Sequence, residues 1–166
     1  YESVQFIVGR VPFGWLIRSI HVWSANLMVA SAVAHFFSVL FLHAYRPPRD
    51  LTWMSGMVLL LLTLAFGFTG YLLPWDQIAF WAITIGTNMG GYAPLFNTPV
   101  NRLLLGGLEV GQNTLLRFYV LHIVVVPLAL LLEAVANLLL VLTDDVTHRA
   151  LRHPAHVEMA RRRGGP

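Results

Sequence analysis

Three histidines carry the chemistry this sequence makes available. His21 and His35 bracket the stretch HVWSANLMVASAVAH, which has no other ionisable side chain. On a helix, fourteen residues rise about 21 Å. At ~100° per residue the second ring returns to within about 40° of the first. The two imidazoles therefore share one stripe at different depths. One metal ion cannot reach both, but two cofactors stacked along the stripe could each take one, given a second ligand from another helix. His122, near the start of a later apolar run, is at the depth of His21. Two imidazoles facing each other across a helix bundle suit axial ligation of a b-type haem. The plainer alternative is that each histidine only hydrogen-bonds to a neighbouring helix. The cost of an ionisable group inside a membrane weighs against that for a depth-matched pair.

Other residues fall into register with the histidines. Arg18 lies three residues before His21 and Arg117 five before His122. Both are one turn or so outward, where guanidiniums could pair with haem propionates or simply anchor helix ends at headgroups. Gly56 and Gly70 repeat the fourteen-residue spacing on the intervening helix. They offer the space a flat macrocycle needs, although small residues also serve helix packing generally. Glu133 is eleven residues after His122, turned by only ~20° and about 16 Å deeper. A carboxyl there faces the bundle interior as a proton relay, as a holder of a ligand water, or as a neutral acid bonded to a neighbouring helix, with Asn137 one candidate partner.

The elements that must position these groups are membrane helices. The chain has 166 residues, 57% hydrophobic and 11% charged, about half the charged fraction of soluble domains. No Asp, Glu, Lys or Arg occurs from Ser19 to Tyr45 or from Leu51 to Trp75, and Phe118 to Thr143 is broken only by Glu133. Each run exceeds the roughly 20 residues needed to cross a hydrocarbon core. Three transmembrane helices are expected, near 16–44, 52–73 and 113–142, with an approach segment at 1–15 and a polar basic tail at 143–166, partly disordered beyond His153. Two amphipathic surface pieces are expected between the second and third spans, about 75–87 and 98–107, and Pro127 should kink the third. The first span is too long for a signal peptide. The start at Tyr1 rather than Met is expected of a processed or partial product.

All positive charge is arginine, and seven of the eleven arginines lie at 46–50 or after Asp145. The positive-inside rule makes that side cytoplasmic, with 74–112 and the N-terminus outside. A basic tail on such a chain meets anionic lipid rather than nucleic acid. No cysteine is present, which excludes disulfides and thioether attachment of a haem.

These residues resemble the N-terminal haem-binding part of the cytochrome b family, closest to the short b6 type. The resemblance is carried by FGWLIRSIHVWSA at 13–25, His35, RPPRDLTWMSG at 46–56, GFTGYLLPWDQIAFWA at 67–82, and VGQNTLLRFYVLH with Pro127. It covers roughly 1–142. It implies an all-α membrane protein whose three spans correspond to the family's helices B, C and D of a haem-binding four-helix bundle. It implies that His21 and His122 bind the outer haem, with Arg18 and Arg117 as its propionate partners. Gly56 and Gly70 would line the inner and outer haems respectively. The implied role is transmembrane electron transfer in a quinol:cytochrome c or plastocyanin oxidoreductase of an energy-transducing membrane. The implied partners are a C-terminal cytochrome b-like chain, a Rieske iron–sulfur protein and a c-type cytochrome in a dimeric complex, with quinone as substrate. The PWDQ stretch at 74–77 corresponds to the quinol-oxidation region, the rest of which lies in the C-terminal part.

One departure matters. The family places a second histidine fourteen or fifteen residues after His122, where this chain has Ala136 and Asn137. Three outcomes are open for the inner haem. It is absent, it persists with His35 as sole protein ligand, or another residue such as His43 or His148 substitutes. Against the electron-carrier reading stand a haem-poor structural anchor and a proton channel built on intramembrane His and Glu. The paired His–Arg arrangement argues against both.

Overall fold

The computed structural model describes residues 2–92, 98–107 and 109–163. Among these every regular element is helical. A short helix, α1 (Glu2–Arg10), turns into α2 (Gly14–Phe41). A turn leads to α3 (Asp50–Tyr71), and α4 (Gln77–Tyr92) and α5 (Thr98–Leu105) fill the next connection. The last span starts as α6 (Gln112–Val120), passes through a π turn (Leu121–Val125) and continues as α7 (Val126–Arg163). Three stretches, Gly14–Phe41, Asp50–Tyr71 and Gln112–Val146, are long and apolar enough to cross a membrane.

The ends of the spans have local causes. α2 begins two residues earlier than expected because Gly14 lets the chain fold back on α1. A side chain there would collide with the Ile7 carbonyl. Phe13 adopts φ 59° at that corner, and its carbonyl takes the amides of Leu16 and Ile17. α2 stops at Phe41 rather than near 44, because His43 turns left-handed at φ 54°. Asp76 precedes α4 as an N-cap, its carboxylate accepting the Ala79 amide at 2.8 Å, which supplies an acceptor for an otherwise orphan donor.

Pro127 follows a change of winding in the third span. Without an N–H it cannot bond back by four residues. Just before it, the Val126 amide reaches Leu121 instead, a five-residue step that gives the π turn. The tail differs from expectation more plainly, since α7 continues unbroken to Arg163 instead of losing order beyond His153. Ala, Leu, Glu and Arg, all strong helix formers, make up most of 149–163, and they extend the membrane helix past Pro154.

α3 lies between α2 and the third span and packs chiefly along the latter. The best-buried apolar side chains gather where α3, α4 and α6 meet: Leu72, Ala79, Ile83 and Phe118. Thr114 locks α6 to α5. Its hydroxyl donates to the Leu105 carbonyl at 2.7 Å and accepts the Gly111 amide at 3.0 Å. Elsewhere the spans present large apolar side chains outward, Trp23 and Leu131 among them, as surfaces meeting lipid or other apolar chains do.

Candidate functional site

At the level of the α1–α2 corner, α2 supplies His21, α3 supplies Gly70 and the π turn supplies His122. The two imidazole centroids are 6.1 Å apart, with their planes at 89°. Two imidazoles binding one metal ion from opposite sides, each bond about 2 Å long, hold their centroids roughly 6 Å apart. Either ring can rotate about its own bond, so perpendicular planes are compatible with that arrangement.

His122 is held on three sides. It stacks on Phe66 at 4.5 Å between centroids. Thr69 Oγ1 lies 3.2 Å from His122 Nδ1, and the same hydroxyl donates to the Phe66 carbonyl at 3.0 Å. A hydroxyl has one proton to give. With that proton on Phe66, the tautomer with Nδ1 donating to Thr69 fits, and it leaves the Nε2 lone pair for a metal. Gly70 forms the third side. A Cβ there would stand 2.5 Å from His122 Cε1, so this close approach requires glycine.

The residue types limit what kind of group this site could take. Among the described residues no three His, Asp or Glu side chains converge as a metal-binding group, so a bare ion held only by protein side chains lacks a donor set here. Two imidazoles from facing helices suit a metal that brings its own equatorial ligands, and a haem is such a group. The residues present fit it.

Fourteen residues further along α2, a second level opens as a cavity of about 510 Å³. His35, Gly56 and Asn137 line it, with Arg49, Asp144 and Asp145 also on its wall. The structure separates the two residues that spacing left ambiguous. The π turn absorbs one extra residue, so Asn137 faces the cavity while Ala136 is exposed and does not line it. His43 packs against Tyr45 in the α2–α3 turn, 6.0 Å between centroids, and is not on the cavity wall. The side chain of His148 lies outside the described residues.

Polar side chains join α3 to α7 around this level. Asn137 Nδ2 donates to the Thr52 carbonyl at 3.2 Å and to Ser55 Oγ at 3.3 Å. Ser55 in turn donates to Glu133 Oε1 at 2.7 Å, and the Thr52 hydroxyl donates to Asp144. Glu133 is thus half-buried and bonded to the neighbouring helix through Ser55; Asn137 meets it only by way of that serine. Sequence reading missed Ser55, Thr52 and Asp144. Ser55 and Thr52 are one to four residues before Gly56, and small hydroxyl side chains near a helix glycine are the signal that was present.

The arginines are placed less uniformly. Arg117 donates to the Leu103 carbonyl on α5 and packs beside Gly106. Arg18 is exposed one turn from His21.

Comparison with known proteins shows what the chain as a whole is similar to. Residues 1–144 match the family model described as Cytochrome b/b6/petB. A cytochrome bc complex cytochrome b subunit of Chlorobaculum thiosulfatiphilum is 51% identical over 141 residues, 85% of this chain and 33% of that protein. Cytochrome b6 of Mesostigma viride is 46% identical over 147 residues, 89% of this chain and 68% of that protein. A chain of a hyperthermophilic respiratory Complex III superposes with a TM-score of 0.75 at 32% identity, covering 84% of this chain and 38% of that one. The chain thus spans about a third of the first of these relatives and about two thirds of the second.

Proposed function

Because the chain belongs to the cytochrome b family, we propose that it carries electrons across a membrane through b-type haem, as the cytochrome b subunit of a quinol oxidoreductase complex. The observation that carries this reading is the His21–His122 pair, 6.1 Å apart across two spans. When bound there, haem supplies a one-electron couple inside the bilayer.

The chain's own residues do the rest. His21 and His122 would hold the iron from α2 and the third span. Thr69 keeps the His122 proton on Nδ1 and fixes the ring's direction. Gly70 leaves the backbone of α3 close to that ring. Arg18 and Arg117 are the cations nearest in sequence to the two ligands and would pair with the propionates, Arg117 by turning from the Leu103 carbonyl. At the second level Glu133, bonded to Ser55, is the candidate for exchanging a proton with a quinone. Arg46 and Arg49, in the turn between α2 and α3, support a cytoplasmic position for this level.

We assign the remaining groups of a quinol site to a C-terminal cytochrome b-like chain. A Rieske iron–sulfur protein and a c-type cytochrome serve as electron acceptors in a dimeric complex. A second reading, a conduit with one haem, is favoured by Asn137 standing where a second imidazole would be needed.

His122→Ala tests the proposal in the isolated complex. The expected result is loss of one low-spin b-type haem per chain from the reduced-minus-oxidised spectrum, with the complex still assembled. A spectrum unchanged by that substitution would reject the ligand assignment and the electron path built on it.

A further inference from the structure

The lower cavity repeats the walls of the upper site. His35 follows His21 by fourteen residues on α2, Gly56 precedes Gly70 by fourteen on α3, and Asn137 follows His122 by fifteen across the π turn. All three lower residues line one cavity of about 510 Å³, within the roughly 300–1,000 Å³ of cofactor sites. Two of the three walls are thus chemically the same as above, and one is changed. Building on the assignment of the upper pair to haem, we propose that the lower cavity holds a second haem bound to the chain through His35 alone, its opposite axial position open to a small neutral ligand.

Asn137 forms the changed wall and does not replace the missing imidazole. Both of its Nδ2 hydrogens are directed to α3, at the Thr52 carbonyl and Ser55 Oγ. The side chain is moored to that helix through Nδ2, so only Oδ1 is left to meet a bound group. An amide oxygen is in any case a hard ligand, poorly matched to ferrous haem iron beside imidazole. The rest of the lining suits a flat macrocycle. Ala32, Phe36 and Leu60 give it apolar faces. Arg49, just before α3, also lines the cavity and supplies a guanidinium for a carboxylate-bearing edge. Asp144 and Asp145 line it as well, and Asp144 is engaged by the Thr52 hydroxyl. One imidazole gives iron a weaker axial field than two. The lower haem is therefore high-spin, and reduced iron there binds carbon monoxide, whereas the upper haem, with both axial positions filled, does not.

The test uses the intact complex isolated from its membranes. Pyridine haemochrome analysis is expected to give two b-type haems per copy of this chain. Carbon monoxide titration of the reduced complex is expected to perturb one of them, at one equivalent per chain. Asn137→His should convert that haem to a low-spin form and abolish the carbon monoxide response, with the count still at two. His35→Ala should lower the count to one. If that variant does not assemble, the wild-type count and titration decide the matter together with Asn137→His. One b-type haem per chain with no carbon monoxide response, or two low-spin haems indifferent to it, would overturn the proposal. A carbon monoxide-binding haem without any low-spin partner would instead remove the upper-site assignment and leave the lower one standing.

Discussion

Adding one methyl group to α3 should separate the two levels of the bundle. In Gly70→Ala the new Cβ would lie 2.5 Å from His122 Cε1 and 3.1 Å from both ring nitrogens. Carbon atoms in contact settle at about 3.5–4.0 Å, so the imidazole must retreat by roughly 1 Å. It cannot slide freely, since Phe66 covers one side at 4.5 Å between centroids and Thr69 holds Nδ1. Overpacking of this kind costs about 1–3 kcal/mol, offset by about 1 kcal/mol for replacing a helical glycine. The fold should therefore survive. Ligation should not, because metal–ligand distances tolerate only about 0.2 Å of departure. Gly56→Ala is the control: its Cβ would meet nothing nearer than Asn137 Nδ2, at 4.0 Å. The assay is the low-spin b-type absorption per chain in the purified complex. It should be lost or strongly reduced in Gly70→Ala and retained in Gly56→Ala. Full low-spin occupancy in Gly70→Ala, at normal yield, would refute the claim that His122 is a ligand held against this glycine.

Other substitutions have comparably definite outcomes. Thr69→Val removes the acceptor of the Nδ1 proton and should weaken haem retention by about 10–100-fold, read as loss on dilution or competition with apomyoglobin, while Thr69→Ser stays near wild type. Ser55→Ala leaves Glu133 and Asn137 each short of a partner and should lower thermal stability in detergent by about 1–3 kcal/mol. Combined with Glu133→Leu, the added loss should be smaller than the sum of the two single effects; strict additivity would show the two residues to be uncoupled. Arg117→Gln removes the tie to the Leu103 carbonyl and should speed limited proteolysis around 98–107, and no change there would mean that tie holds nothing in place.

Much of the frame was legible in the residue pattern, because charge-free runs of 25 residues or so admit few structures other than membrane helices. The depth match of His21 with His122 followed from topology alone. What spacing could not settle was the angular position of residues beyond His122. That depends on how the helix winds, and a π turn changes the answer by one residue, choosing Asn137 over Ala136. Proline at 127 is the visible cue, and the winding changes just before it. The Ser55–Glu133 and Thr52–Asp144 bonds were hidden for a different reason. They join residues 78 and 92 positions apart, and only the packing of α3 on α7 brings them together. Polarity alone does not mark the tail as disordered, because its Ala, Leu, Glu and Arg content favours helix with or without an apolar face.

A density map of the assembled complex tests the central claim most directly. An iron porphyrin is expected between the rings of His21 and His122, bound through Nε2 of His122, with Nδ1 of that ring facing Thr69. Lipid or side chains filling that space, or two imidazoles turned away from a common centre, would contradict it.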